Sequence, residues 1–163
     1  MTELPDVRLV RSRTLADYAP LIAELTPALG PRFGESVANW CGVGKRPYPL
    51  AYWEVWVVEV AARRVGVASL YRRAEDPPTR CWIGWFGLLA GAQGHGYAHA
   101  VLGRLEAEAR AQAATELCVY TDPDNGRAIR AYTRAGFRAA AVVDSTSTGR
   151  AADPSGVVLT KTW

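Results

Sequence analysis

The stretch QGHGYAHAVL, residues 93–102, decides the fold because it turns the chain from a strand into a helix. Before it, the apolar run CWIGWFGLLA, residues 81–90, is bounded by turn residues and predicts a central strand. After the turn, residues 97–114 have the spacing of a helix. Glycines at such a junction let the backbone turn sharply and expose its N–H groups. The first helical turn adds unpaired donors and a positive dipole end, so this junction predicts a site for an anion such as a pyrophosphate.

The rest of the chain supplies a mixed sheet around this junction. Alternating and β-branched runs predict strands, 3.6-residue spacing predicts helices, and Thr14 is the predicted N-cap of the first helix. The predicted order βααβββαβαββ indicates an α/β fold of the α+β kind, with a mostly antiparallel sheet of six to seven strands and about four helices. The other predicted elements are strands 7–14, 51–60, 64–73, 115–121, 137–143 and 156–163, helices 14–29, 31–40 and 124–136, and a loop at 41–50.

Length and composition predict one globular domain over residues 1–163. The N-terminus has no basic segment followed by an apolar one, and the most apolar run is shorter than the roughly 18 residues that suggest a membrane span. Three widely spaced cysteines, Cys41, Cys81 and Cys118, predict reduced thiols. We therefore expect a cytoplasmic protein with no membrane partner.

The charge distribution argues against nucleic acid as a partner. Net charge is +3 and the basic residues are scattered, whereas nucleic-acid binders concentrate them on one face. A mildly basic surface suits a small polyanionic ligand. The sequence leaves a homodimer open.

Two other motifs fail at the glycine turn. A dinucleotide fingerprint GxGxxG that starts at Gly94 requires glycine where the chain has His99. His95 and His99 are spaced as in a zinc-protease helix, but that motif needs glutamate where Gly96 stands. No third ligand is evident, so we predict no metal.

The pattern that does fit is Gln93-x-x-Gly96-x-Ala98 directly after a strand. It resembles the acetyl-CoA pyrophosphate motif of the GNAT superfamily of N-acetyltransferases, (Gln/Arg)-x-x-Gly-x-(Gly/Ala). Because few positions are fixed, a glycine turn that only packs the helix on the sheet would match it as well.

A second pattern, DNGRAIRAYTRAGF at 124–137, follows about thirty residues later. Asn125, Ala128 and Tyr132 share one helix face, Gly136 fits the left-handed position after a helix, and Phe137 begins the next strand. The pattern is similar to the second GNAT signature, in which the Asn contacts the pantetheine arm and the Tyr hydroxyl approaches the CoA sulfur. The resemblance covers both motifs and nearly the whole order of elements.

The resemblance implies a GNAT fold and acetyl-CoA as co-substrate. In this family the pantetheine arm lies in a gap between the strand before the glycine turn and the strand before the second signature. An amine attacks the thioester directly, a main-chain N–H near Leu88 holds the oxyanion, and Tyr132 protonates the departing thiolate. The implied cofactor-binding residues are Phe86, Leu88, Leu89, Ala90, Gln93, Gly94, His95, Gly96, Tyr97, Ala98, Asn125, Ala128 and Tyr132.

The general base is less clear from the sequence. Many family members have a carboxylate on the strand before the glycine turn, and residues 81–90 contain none. Glu54, between Trp53 and Trp56, is the first candidate, although an exposed carboxylate on a strand would have the same pattern. The other candidates are Glu59, Asp122 and the terminal carboxylate of Trp163.

The acceptor is predicted to be a primary amine of a small molecule. The loop at 30–52 contains Phe33, Trp40, Tyr48 and Tyr52, which suggest an aromatic wall for the acceptor but would serve equally well as core. Thr121-Asp122-Pro123 also resembles the aminoglycoside 6′-N-acetyltransferases, in which the counterpart of Asp122 helps hold the cationic sugar. Three alternatives stay open: an aminoglycoside acceptor, a protein N-terminus or lysine, and an acyl-CoA-binding module without catalysis.

Overall fold

The order of elements is the predicted one, in a computed structural model that describes residues 5–44, 49–140 and 156–163. Across these described residues there are four α-helices and seven strands, with a single 3₁₀ turn after the fourth strand. In chain order they are β1 (Val7–Arg11), α1 (Leu15–Leu29), α2 (Arg32–Trp40), β2 (Leu50–Val60), β3 (Arg63–Arg73), β4 (Arg80–Leu88), the 3₁₀ turn (Ala90–Ala92), α3 (Tyr97–Ala111), β5 (Glu116–Thr121), α4 (Gly126–Arg134), β6 (Arg138–Ala139) and β7 (Val157–Thr162).

The strands form one sheet in the order β1-β2-β3-β4-β5-β7-β6. Every neighbouring pair is antiparallel except β4 and β5, which run parallel. The prediction of a mixed, mostly antiparallel sheet is therefore confirmed.

The parallel pairing between β4 and β5 is short. It extends from Arg80 opposite Glu116 to Ile83 opposite Val119. Beyond Ile83, β4 pairs with β3 alone, and beyond Val119, β5 pairs with β7 alone. A gap therefore opens between the two strands towards their C-terminal ends.

A β-bulge in β4 lies where the gap begins. Gly84 and Trp85 both lie opposite Ser69 of β3, whose hydroxyl accepts a hydrogen bond from the Trp85 N–H over 2.6 Å. A Cβ on Gly84 would lie 2.6 Å from that hydroxyl oxygen, so this close approach requires glycine. Because a bulge bends and twists its strand, it turns the end of β4 away from β5.

Helices cover both faces of the sheet. One face packs against α1 and α2, where Tyr18, Phe33 and Trp40 are almost fully buried. The other face packs against α3 and α4 and includes Leu105 and Tyr132. Of the two alternatives for Phe33 and Trp40, the core position is confirmed and the acceptor wall is wrong, because both side chains are at most 1% exposed.

The other two aromatics of that predicted wall have different positions. Tyr52 is half-buried and packs against the cluster beneath α3. Tyr48 lies outside the described residues.

Several element ends differ from the prediction. The strand predicted for 81–90 ends at Leu88, because the chain turns into the 3₁₀ segment. The helices predicted for 97–114 and 124–136 end earlier, at Ala111 and Arg134. Residues 141–143 of the strand predicted for 137–143 lie outside the described residues.

Thr14 does occupy the N-cap position of α1, but its side chain makes no capping hydrogen bond. The hydroxyl of Ser12 instead accepts a hydrogen bond from the Thr14 N–H over 3.1 Å and donates one to Asp17 over 2.7 Å. The position of the helix start is therefore confirmed, whereas the predicted capping group is not.

Candidate active site

The edge of β4 that faces the gap has free backbone groups. The Leu89 N–H donates to the Val65 carbonyl over 2.8 Å, and the Trp85 N–H bonds to Ser69, so both amides point to β3. Successive amides of a strand point in opposite directions. Phe86 and Leu88 therefore direct their N–H and C=O groups into the gap. An extended ligand can pair with the two N–H groups and the Phe86 carbonyl, whereas the Leu88 carbonyl already accepts a hydrogen bond from Gln93.

The glycine turn lies at the end of β4. Gly94 and Gly96 have φ angles of +80° and +79°, which only glycine adopts readily. A Cβ on either residue would have no atom within 4 Å, so the space above the turn is open. Gly96 is the N-cap of α3, and the first turn of this helix contains no acidic residue. The turn thus presents exposed N–H groups and a positive helix end to an anion.

The side chain of Gln93 connects the gap to α4. Its Nε2 donates to the Leu88 carbonyl over 3.0 Å, and its Oε1 accepts a hydrogen bond from Arg127 Nη1 over 2.5 Å. Sequence reasoning missed Arg127 because the residue lies within the second pattern but is not one of its fixed positions. The one available signal was a cation in the first turn of a helix, where the dipole disfavours positive charge.

The first turn of α4 stands beside the gap. Asn125 is the N-cap, and its Oδ1 accepts a hydrogen bond from the Ala128 N–H over 3.2 Å. This cap is the structural role that competes with the contact to a pantetheine arm that the resemblance implies. The Nδ2 group of Asn125 has no part in the cap.

Tyr132 combines a core position with a free hydroxyl. Tyr132 is 7% exposed, and its ring packs edge-on against the ring of Phe137, with the two centroids 5.6 Å apart. Burial raises the pKa of the hydroxyl well above its ordinary value, so the phenol is protonated at neutral pH. Within the described ranges, no group hydrogen-bonds to this hydroxyl. The proton is therefore not committed to another acceptor among these residues.

The candidate base Glu54 lies away from the gap. It is on β2, opposite Leu70 of β3, and so two strands from β4, or roughly 10 Å at the usual strand spacing. Its Oε2 lies 3.0 Å from the Arg11 Nε. The structure therefore does not bring Glu54 to the edge formed by Phe86 and Leu88.

Of the other three candidate bases, Glu59, Asp122 and the terminal carboxylate of Trp163, only Asp122 lies beside the gap. Glu59 is also on β2, opposite Arg8 of β1. Trp163 lies at the start of β5, where its N–H bonds to the Thr115 carbonyl, so its terminus is at the end of β5 away from the gap. Asp122 alone follows the C-terminal end of β5, beside the gap.

Two open depressions lie on the surface, one at the end of β5 and one beside the glycine turn. One, of about 480 Å³, is lined by Asp122, Pro123, Asp124 and Asn125 and contains two carboxylates that attract a cation. The second, of about 450 Å³, lies between the glycine turn and the β2–β3 hairpin, and its lining includes Val65, Leu89 and Tyr97.

The remaining predicted residues belong to the turn and its helix. His95 is exposed and stacks on Tyr97, with ring centroids 5.4 Å apart, and Ala98 is half-buried in the first turn of α3. Ala90 begins the 3₁₀ turn rather than extending β4. Across the described part of the chain, no group of three or more His, Cys, Asp or Glu side chains is arranged to hold a metal ion. No helix among the described residues is long and apolar enough to cross a membrane.

The protein is of the α/β class, and its sheet opens between two parallel strands next to a glycine turn at a helix N-terminus. This arrangement can bind an extended ligand that contains phosphate. A family model described as the acetyltransferase (GNAT) family matches residues 30–137. The chain therefore belongs to the GNAT family of acetyltransferases. It is an acyltransferase that uses acetyl-CoA.

Solved structures share this fold at low sequence identity. An acetyltransferase from Streptococcus agalactiae is 14% identical with a TM-score of 0.72, covering 99% of this chain and 100% of that one. The Campylobacter jejuni N-acetyltransferase PseH, in complex with acetyl coenzyme A, is 12% identical with a TM-score of 0.65, over 96% and 99% of the two chains. The aminoglycoside acetyltransferase AAC(6′)-Ib in complex with coenzyme A is 18% identical with a TM-score of 0.66, over 96% and 95%. No curated protein sequence matches significantly.

The residues present fit acetyl-CoA. The open space above Gly94 and Gly96 suits a diphosphate, and the free edge at Phe86 and Leu88 suits the amide-bearing arm. The residue assignments themselves stay predictions.

Proposed function

We propose that the protein transfers the acetyl group of acetyl-CoA to a primary amine of a small molecule. The observation that supports this most is the gap between β4 and β5, with free amides on one wall and a carboxylate-lined depression at the end of the other. Anionic side chains attract an amine in its protonated form, which is the main form in water at neutral pH. A cytoplasmic location and a homodimer stay predictions.

Each element of the gap has a role in the proposed reaction. The N–H groups at Gly94 and Gly96 and the positive end of α3 bind the diphosphate. Phe86 and Leu88 align the extended arm by backbone hydrogen bonds. Acetyl-CoA, when bound, supplies the thioester carbonyl that the amine attacks. The Leu88 N–H stabilises negative charge on the carbonyl oxygen, and the Tyr132 hydroxyl holds the proton that the leaving sulfur needs.

The amine must lose a proton before it attacks, and Asp122 is the candidate carboxylate that directly follows β5 beside the gap. We assign Asp122 the attraction of the ammonium group, and the proton leaves to solvent through the open depression. Glu54 lies two strands from β4, which argues against its predicted role as base. Proximity of a neutral amine to the thioester accounts for much of the rate without a dedicated base.

Panel assays of CoA thiol release test the acceptor. We expect turnover with at least one small primary amine. Faster turnover on lysine or N-terminal peptides would favour a protein acceptor, and fastest turnover on an aminoglycoside would favour the 6′ type. Acetyl-CoA binding without turnover on any amine would favour the non-catalytic module.

A matched pair of variants tests the acceptor depression. Asp122→Asn removes one of its carboxylates, and Asp6→Asn makes the same change at an exposed position before the edge strand β1, four strands from β5. We expect Asp122→Asn to raise the KM for a cationic amine about two- to fivefold, the range of an exposed charge pair. The KM for acetyl-CoA should not change in either variant. Equal amine KM values for both variants would contradict the proposed role of Asp122.

A further inference from the structure

Gln93 and Arg127 connect β4 to α4 beside the gap, at the end of β4 next to the glycine turn. Gln93 follows the 3₁₀ turn after β4, and Arg127 lies in the first turn of α4. The two hydrogen bonds, Gln93 Nε2 to the Leu88 carbonyl and Arg127 Nη1 to Gln93 Oε1, form a continuous connection from β4 to α4.

The charge of Arg127 has no anionic partner in the described part of the chain. No carboxylate oxygen there lies within 4.0 Å of its guanidinium, and its one hydrogen-bond acceptor is the neutral amide of Gln93. The first turns of both α3 and α4 contain no acidic residue. A cation beside a helix N-terminus is disfavoured by the dipole. Among the described residues, the Arg127 guanidinium therefore stands without an anionic partner beside a helix N-terminus, and an anion placed there would relieve this repulsion.

We infer that Arg127 binds the diphosphate of acetyl-CoA, exchanging its hydrogen bond to Gln93 Oε1 for bonds to phosphate oxygens, and so selects CoA thioesters over thioesters without phosphate. The inference rests on the proposed function, in which acetyl-CoA is the donor. A guanidinium presents paired N–H donors that match a phosphate, and a charged acceptor binds them more strongly than a neutral amide. Gln93 can stay bonded to Leu88 through Nε2 while Arg127 exchanges partners.

Binding measurements without any acceptor test the inference. Arg127→Gln removes the charge, and Arg134→Gln removes the same charge at an exposed position about 10 Å further along α4. The two ligands are acetyl-CoA and S-acetylpantetheine, which has the thioester arm but no phosphate. We expect Arg127→Gln to weaken acetyl-CoA binding about tenfold or more, the range for a hydrogen bond to a charged group. S-acetylpantetheine binding should be unchanged, and Arg134→Gln should change neither.

Other outcomes would overturn the inference. Equal weakening for both ligands would mean that Arg127 shapes the gap, and equality with Arg134→Gln would mean that it has no specific role. A double variant with Gln93→Ala separates direct from indirect action, because a residue that acts only through Gln93 adds nothing to the loss from Gln93→Ala.

Folding and the acceptor are checked separately. Thermal melts of all variants show whether Arg127→Gln folds, and Arg127→Lys, which keeps the charge without the paired donors, should give an intermediate loss. A protein that binds acetyl-CoA in this way but acetylates no small amine would refute the proposed acceptor alone.

Discussion

Replacing Gly96 with alanine should destabilise the protein through the backbone alone. Gly96 has a φ of +79° and a ψ of 4°, the left-handed region, which costs a residue with a Cβ about 1–2 kcal/mol. The added methyl group would meet no atom within 4 Å, so no clash adds to this cost. For a chain of this length, that loss corresponds to a fall of about 2–8 °C in melting temperature.

Gly103→Ala is the matched control for this prediction. Gly103 lies within α3, and its added methyl group would also meet no atom within 4 Å. Here φ is helical, so alanine should stabilise the protein by about 0.5–1 kcal/mol. Thermal and denaturant unfolding of both variants measure the two opposite signs. A Gly96→Ala variant as stable as the wild type would refute the argument that the turn requires glycine.

Four further predictions concern the ligand, the site and pH. Acetyl-CoA at a hundredfold its dissociation constant should stabilise the protein by about 2.7 kcal/mol and raise its melting temperature. Gly96→Glu should abolish this rise, because it places a negative charge beside the diphosphate. Tyr132→Phe should lower turnover roughly 100-fold at unchanged stability and acetyl-CoA affinity; turnover within a few-fold of wild type would mean that water protonates the thiolate. Glu54→Gln should leave turnover nearly unchanged, and a large loss would restore Glu54 as the base. Burial opposes ionisation of Glu106, but hydrogen bonds from two cationic side chains outweigh it and lower its pKa. Its contribution to stability is present above the unfolded pKa of about 4.3 and is lost as pH falls through the lower folded pKa. Glu106→Gln should therefore lower the denaturant midpoint at pH 7, and the difference from wild type should vanish in acid.

Local patterns were sufficient to predict the helices and strands and the left-handed backbone conformation at Gly136. The 3.6-residue spacing of α3 and the alternation of the hairpin strands depend on neighbours in the sequence, and both elements occur where predicted. Gly136 has the left-handed φ, +96°, that its place after α4 predicted. Such features are encoded within a few residues, so the sequence displays them directly.

Features that depend on distant partners could not be predicted. The bulge at Gly84 and Trp85 depends on the Ser69 hydroxyl of another strand, and the hydrogen bond between Gln93 and Arg127 joins residues 34 positions apart. The burial of Phe33 and Trp40 likewise depends on how α1, α2 and the sheet pack together. A sequence that shows aromatic residues in a loop does not show which way they face.

The short pairing between β4 and β5, only four residue pairs, should make the stability of the protein depend on the supply of acetyl-CoA. Past Ile83 and Val119, β4 and β5 do not pair with each other in the described part of the chain. In the proposed function, acetyl-CoA provides partners for the backbone groups that face the gap. A ligand that binds only the folded state divides the population of opened states by one plus the ratio of its concentration to its dissociation constant. Protease attack on an opened state follows that population. The lifetime of this enzyme in a cell should therefore rise and fall with the acetyl-CoA pool, so that the metabolite sets the amount of enzyme as well as its rate.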